Sequence, residues 1–381
     1  MKAFLAAGFA ALALAPAVSS AAPWDDEIFR DPTDGRFDTS RWLLDRKGFL
    51  PVPIVITEPA IGYGGGVALL FFHRNPAPTG SPDAPRKFEP PDITAGAAFG
   101  TENGTKGGGV GHLGFSEGRR WRYLAGVARG SINLAWYGTP GIGPGTTPEG
   151  RDVNLDGTLA VADLRRRLGD SEWWAGLRYT GSKVRSTFAR DGSPEPPRAD
   201  LDATISGLGP VVEYDGRDNI FTPNAGLRAY LEAIRFAPGL GGDHDFTRSR
   251  FALQGFVPFG DAFVVGLRAD AQAVDGDAPY YARPFVELRG IPAMRYQGDR
   301  VAVAEVEGRW NLDGRWSLVG FAGAGRAAES NGALRDAPSH TTVGAGFRYL
   351  LSRALGMRVG IDFARGPEDK AVYLVMGSAW R

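Results

Sequence analysis

The amino-acid sequence predicts an all-β fold, an antiparallel transmembrane β-barrel, and three observations predict it. From about residue 60 the chain breaks into segments of nine to fourteen residues that alternate in polarity, separated by Gly, Pro, Asp and Asn. That is the weak but repeated pattern of membrane strands. Charges stand in mid-strand on one face only, and a charge facing lipid at mid-depth costs about 2–4 kcal/mol, so that face must line a wet or plugged lumen. The connections alternate in length. Short ones (Gly118-Arg119, Asp313-Gly314, Phe259-Gly260-Asp261) interleave with long polar ones at 138–152, 189–202 and 275–297, as inner turns and outer loops of such barrels do. The composition agrees, since 54 glycines and 11% aromatics beside four methionines suit a large sheet better than a helical protein.

Taken from the N-terminus, residues 1–21 read as a secretory signal peptide. Lys2 supplies the positive start, residues 3–18 are apolar apart from Gly8 and Pro16, and Ser19 and Ala21 sit at the spacing a signal peptidase reads, with cleavage after Ala21. A membrane anchor is the other reading, but the run is short for one and Trp24-Asp25-Asp26-Glu27 holds no basic stop signal. Residues 22–48, rich in Asp and Arg with little periodicity, read as a short periplasmic lead or a plug, too short for a separate domain. The barrel is assigned to 49–381. No later stretch approaches about eighteen apolar residues, so no transmembrane helix is expected. Export without cysteine excludes a disulfide scaffold and a thiol nucleophile. The formal net charge of +0 gives no hint of nucleic-acid binding.

Within the barrel, 263–274 puts Phe263, Val265, Leu267, Ala269, Ala271 and Ala273 on one face and Gly266, Arg268, Asp270 and Gln272 on the other. Residues 301–312 set Ala302, Ala304, Val306, Trp310 and Leu312 against Glu305, Glu307, Arg309 and Asn311. Residues 355–363 and 372–380 repeat the theme, with Leu374, Met376 and Trp380 expected to face one way. Segment ends carry Trp121, Trp136, Trp173, Trp310, Trp316, Tyr349 and Tyr373, where interfacial aromatic girdles sit. Ten such segments precede Asp275 and five follow the loop that begins there. Residues 51–57, ahead of 62–73, supply a sixteenth. Even numbers are the rule for such barrels, so sixteen strands are expected, with fourteen next.

Several patterns point elsewhere and are set aside. Asp152-x-Asn154-x-Asp156-Gly157, ending at Asp163, fits a calcium loop, but no helices flank it and a turn at 154–157 explains the same letters. Gly109-x-Gly111-x-x-Gly114 has no βαβ unit around it and reads as a glycine-lined strand. His73, His112, His244 and His340 lack metal spacing. No serine elbow is present, so neither metal, cofactor nor enzymatic activity is expected.

Four stretches resemble the BamA/TamA family of outer-membrane proteins, the bacterial surface-antigen superfamily. Asp215-x-Arg217-Asp218-Asn219 with Phe221-x-Pro223-x-x-Gly226 is similar to that family's strand–turn–strand stretch. Leu288-Arg289-Gly290-Ile291 resembles its Val-Arg-Gly-Phe/Tyr motif, carried on a loop folded back into the barrel. Residues 302–309 are similar to the strand after that loop, with Glu307 on the family's lumenal glutamate. Residues 372–380 resemble the closing strand, with Tyr373 in it and Gly377-x-x-Trp380 matching the terminal signal read by the assembly machinery.

An arginine on a loop dipping into a barrel needs a carboxylate partner. Glu307 is the first expected partner of Arg289 and Glu305 the second. Such a pair either pins a plug-like loop or serves a mechanism. Two departures stand out. Glycine occupies the aspartate position of the family's Phe-x-Asp-x-Gly strand in Phe321-Ala322-Gly323-Ala324-Gly325, which removes one expected partner. The POTRA domains that normally precede the barrel are also not expected, which makes this a barrel-only relative.

The resemblance implies a barrel of the Gram-negative cell outer membrane with a role in membrane biogenesis, inserting or transporting protein or lipid. The implied partners are outer-membrane lipid, the barrel assembly machinery for its own insertion, and a client protein or lipid. The mechanism would be a weak seam between the first and last strands, loosened by Gly62, Gly64, Gly65 and Gly66 and by Gly377, though glycine is common in barrel strands everywhere. The alternatives are a passive pore or structural barrel with no assembly role, and a soluble exported β-protein.

Overall fold

The computed structural model describes residues 27–45, 49–73, 92–138, 150–189 and 198–380. The expected signal peptide, residues 22–26 and 46–48 of the lead, and Arg381 lie outside the described residues. Sixteen strands form one antiparallel sheet in strict sequence order. They are β1 (Phe49–Ile56), β2 (Gly64–Phe72), β3 (Ile93–Thr101), β4 (Lys106–Phe115), β5 (Trp121–Trp136), β6 (Arg151–Arg167), β7 (Trp173–Phe188) and β8 (Asp202–Asp215). There follow β9 (Gly226–Phe236), β10 (Phe246–Phe259), β11 (Phe263–Gly276), β12 (Arg300–Asn311), β13 (Trp316–Ala328), β14 (His340–Ser352), β15 (Met357–Arg365) and β16 (Lys370–Met376).

The polarity alternation sorts as a barrel requires. On β11 and β12, Leu267, Val306 and Trp310 are exposed on the outer face, while Asp270, Glu305 and Arg309 are buried inside. The 51–57 segment is a strand, and this moves Gly64, Gly65 and Gly66 into β2, opposite Ile56, Val55 and Ile54 of β1. The seam assignment of those glycines is therefore corrected: they lie one strand in, and Gly62 sits in the β1–β2 connection with φ +77°.

Three further expectations are corrected. β6 runs unbroken, so the letters at 154–157 are ladder positions facing β5 and β7 and form no turn. The girdle residues Trp121, Trp173, Trp310 and Trp316 do face outward. Trp136, only 4% exposed, lies inside. Tyr349 pairs across the ladder with Trp316 and shares its outward face, whereas Tyr373 lies inside and accepts the Gly290 amide hydrogen at 2.9 Å. A strand has only two faces, and a shift of one residue in parity turns an end aromatic from lipid to lumen.

The lumen is layered. Toward the long-loop end it is an apolar core: Ile54, Ile132, Trp136, Phe188, Ile205, Phe236 and Phe246 pack on Tyr280, Tyr281 and Met294 of the β11–β12 loop. Deeper, arginines pair with acids along a strand and across the strand between: Arg165 of β6 with Asp163 on the same strand and Glu213 of β8, both at 2.6 Å, and Arg178 of β7 with Glu232 of β9 at 3.0 Å. Burying charge is tolerable only with such partners.

The short-turn end is capped by the lead. Residues 30–37 form a tight hairpin bridged at Arg30 and Phe37, and a short helix, Ser40–Asp45, follows. Asp31, Asp34 and Asp38 of the lead converge on Arg315 in the β12–β13 turn. The Arg315 guanidinium beside Asp34 holds that carboxyl well below the usual carboxylate range.

Candidate functional site

The loop between β11 and β12 turns back into the barrel, and its innermost point is Leu288-Arg289-Gly290-Ile291. The Ile291 amide donates to the Leu288 carbonyl at 3.1 Å, closing a turn. Gly290 has φ +92°, and a Cβ there would lie 2.8 Å from the Gly366 backbone nitrogen in the β15–β16 connection. Only glycine satisfies both the left-handed conformation and that backbone approach.

The turn presents Arg289, 9% exposed, to a carboxylate nest on two strands. Its Nη1 donates to Asp362 Oδ2 at 2.6 Å, and its Nη2 donates to Glu305 Oε1. Glu307 Oε2 lies 2.8 Å from the same Nη2 as an ion pair without hydrogen-bond alignment. The guanidinium also lies over the Phe321 ring, 3.4 Å from its centroid. Arg348 holds Asp362 from the other side through two hydrogen bonds of 2.6 and 2.9 Å.

Both glutamates named from the sequence thus surround Arg289. Asp362 and Phe321 were not named as its partners. The missing aspartate at position 323 is offset from a different strand, because Asp362 of β15 supplies the additional carboxylate. Its signal in the sequence was present but weak: it is the one acid on the polar face of 355–363. A Cβ on Gly323 would be 2.9 Å from Leu288 Cδ2, so the glycine makes room for the loop.

The closing strand departs from expectation. β16 ends at Met376, and Gly377 (φ +75°) turns the chain inward, its amide donating to the Arg358 carbonyl at 2.7 Å. Trp380 therefore does not share an outward face with Leu374 and Met376. It lies inside, its ring tilted against Phe256 at 5.6 Å between centroids, and its Nε1 donates to Glu305 Oε1 at 2.6 Å. Loop and C-terminal tail thus meet on one carboxylate. The 215–226 stretch reaches the same end: Asn219 donates to the Leu355 carbonyl at 2.8 Å, and the Ser378 amide donates to that of Phe221 at 2.5 Å.

The seam lies between β16 and β1. Among the described residues the ladders run from β1–β2 to β15–β16, and none joins β16 to β1. β1 has 8 residues and β16 has 7, against 16, 17 and 16 for β5, β6 and β7, so the wall is shortest at the seam. Pro51 and Pro53 occupy alternate positions of β1. Alternate residues turn their N–H groups to the same side, and proline is tolerated where that side has no partner. The free edge of β1 therefore lacks two donors.

Glu58, in the β1–β2 connection, adds a titrating group beside the loop. Burial raises its pKa, amide hydrogen bonds from Ala60 and Ala293 lower it, the Glu287 carboxylate raises it further, and the result is about 7. A carboxyl held above its ordinary value loses folding stability as pH rises through that ordinary value and up to the raised one. Glu58→Gln is therefore expected to match wild type below about pH 4.5 and to be more stable above pH 7, by at most about 3 kcal/mol, with a raised melting midpoint there. A melting series across pH 4–9 checks this, and an equal shift at every pH would count against it.

A family model described as the Omp85 superfamily domain matches residues 147–380. No curated protein matches the chain in sequence. In fold, the chain is similar to BamA from Haemophilus ducreyi lacking POTRA domains 1–3, at TM-score 0.55 and 10% identity over 87% of this chain and 69% of that one. It is also similar to CdiB from Acinetobacter baumannii (TM-score 0.58, 12% identity, 86% of this chain) and CdiB from Escherichia coli (TM-score 0.58, 11% identity, 86%). It spans 59% and 61% of those two chains. With well over half its length matched by the family model and the same barrel architecture, the chain belongs to the Omp85 superfamily.

Proposed function

We propose that this barrel sits in the bacterial outer membrane and inserts or moves protein or lipid by opening laterally between β1 and β16. The observation that carries the reading is the unladdered seam, bounded by the two shortest strands of the sheet and by a proline-interrupted edge. Lateral exit needs an edge that can part at low cost and a thin wall that perturbs lipid beside it. Unpaired edge groups then offer template hydrogen bonds to an incoming strand. The filled lumen weighs against a passive pore, because the apolar layer around Tyr280 and Met294 and the anchored Arg289 turn occupy the path an ion would take.

The test uses the absence of cysteine in the sequence. Val55→Cys on β1 and Val372→Cys on β16 give one pair across the seam, to be bridged by a short bis-maleimide. Detergent-free insertion of a second barrel into liposomes is measured with and without the bridge. The unbridged protein is expected to accelerate insertion over empty liposomes and the bridged one to lose most of that acceleration. Equal acceleration in both would overturn the seam as the working element. No acceleration, with steady current in planar bilayers, would establish the pore instead.

A further inference from the structure

The lead does more than cap the barrel. It docks on the turns between β12 and β13 and between β14 and β15, while its C-terminal end continues directly into β1. In the sheet order those turns lie on the β16 side of the seam and β1 lies on the other. The chain therefore joins one lip of the seam to the other at the short-turn end.

The docking is built for hold. The Arg315 side chain is 0% exposed and meets Asp38 Oδ2 at 2.6 Å, Asp34 Oδ2 at 2.7 Å and Asp31 Oδ2 at 2.5 Å. Its Nη1 also donates to the Leu350 carbonyl at 2.9 Å. Arg353 pairs with Asp31 and, at 2.7 Å, with Asp34. The Thr39 amide donates to the Leu351 carbonyl at 2.9 Å, and the Ser40 and Ser352 hydroxyls meet at 3.1 Å. A guanidinium so enclosed is stable only while its carboxylates stay, so lead and rim separate as a unit or not at all.

We propose that residues 31–40 are a strap that limits how far the seam opens at the short-turn end, and that undocking from Arg315 and Arg353 releases it. From Ser40, the last docked residue, to Phe49 the chain reaches roughly 20 Å, counting helical rise to Asp45 and extended links beyond. The distance already spanned, from the β14–β15 turn past β16 to β1, is about two strand spacings, roughly 10 Å. A docked strap thus allows room for about two further strands, and an undocked one sets no such limit. The inference rests on the seam reading for its use, though the tether itself does not.

The experiment places spin labels across the short-turn end of the seam, at Pro51→Cys and Leu374→Cys, and across its long-loop end at Val55→Cys and Val372→Cys, in full-length protein in liposomes. Arg315→Ala is expected to lengthen or broaden the first distance by more than one strand spacing, about 5 Å, and to leave the second less changed. Arg353→Ala, which removes only the more exposed partner, keeps the test open should Arg315→Ala fail to fold, and is expected to give a smaller shift of the same sign. Hydrogen exchange over 31–40 reports whether the lead has left the rim. A released lead with an unchanged short-turn distance overturns the strap, and so does a lead that stays protected in both variants. Loss of insertion on bridging the seam, together with no effect of strap release on seam width, would overturn this inference and leave the seam reading standing. Unimpaired insertion by the bridged protein would do the reverse.

Discussion

Arg289→Ala is expected to abolish most of the acceleration of insertion proposed for this barrel and to free the β11–β12 loop from the lumen. Removal of the guanidinium leaves Glu305 and Glu307 two residues apart on the inner face of β12 with their shared cation gone. Breaking a buried ion pair from one side costs about 3–5 kcal/mol, because the remaining charge stays buried without compensation. Asp362 suffers less, since Arg348 still grips both its oxygens, and Glu305 keeps the Trp380 indole. The loss therefore falls on Glu307 and on the loop, whose apolar neighbours Leu288 and Ile291 pack with Val286, Val301 and Val303. Arg289→Lys is expected to recover only part of the effect, because a single ammonium cannot span carboxylates on β12 and β15 as the guanidinium fork does. Hydrogen exchange over 284–294 and the liposome assay read the two consequences. A variant that inserts as fast as wild type while its loop exchanges freely would show that loop anchoring and activity are separate.

Gly323→Asp, which places an aspartate where the family resemblance leads one to expect it, is expected to harm this protein. The new Cβ would stand 2.9 Å from Leu288 Cδ2, and its carboxylate would arise directly across the ladder from Glu305. Overpacking of this kind costs about 1–3 kcal/mol, and a further acid beside a nest already holding Glu305, Glu307 and Asp362 adds repulsion. Leu288→Ala in the same chain removes the steric part only, so the double variant should recover some stability and the single variant none. A higher melting midpoint for Gly323→Asp alone would mean that the loop has a second seat and that Leu288 does not define it.

The contrast between positions 323 and 362 illustrates what a sequence carries. Polarity alternation is local, and each residue's face follows from its parity. Strand positions and the shared inner face of the two glutamates were therefore readable from spacing, while the inward arginine was legible only through the resemblance of its motif to a known family. Asp362 reaches Arg289 from 73 residues away, across a contact that exists only because the sheet curls until β15 faces the loop. Nothing in the spacing of 355–363 distinguishes an acid that pairs with Arg289 from one that meets water. The β1 segment was the weakest of the sixteen by pattern, its alternation blurred by Pro51 and Pro53, and recovering it moved three glycines from the seam into the next strand. The lead likewise read as aperiodic because its partners, Arg315 and Arg353, belong to distant turns.

What the sequence by itself determined is the barrel: sixteen alternating segments, their two faces, and the alternation of short and long connections. These follow from the two-residue period of a strand and the cost of placing charge against lipid, both of which act within a few residues. Only the tertiary structure decided which carboxylates meet Arg289, where Trp380 ends, that the lead grips Arg315, and that β16 and β1 remain unladdered. Those depend on closure, which brings together residues far apart in the chain according to strand number, curvature and wall height, and local periodicity encodes none of these.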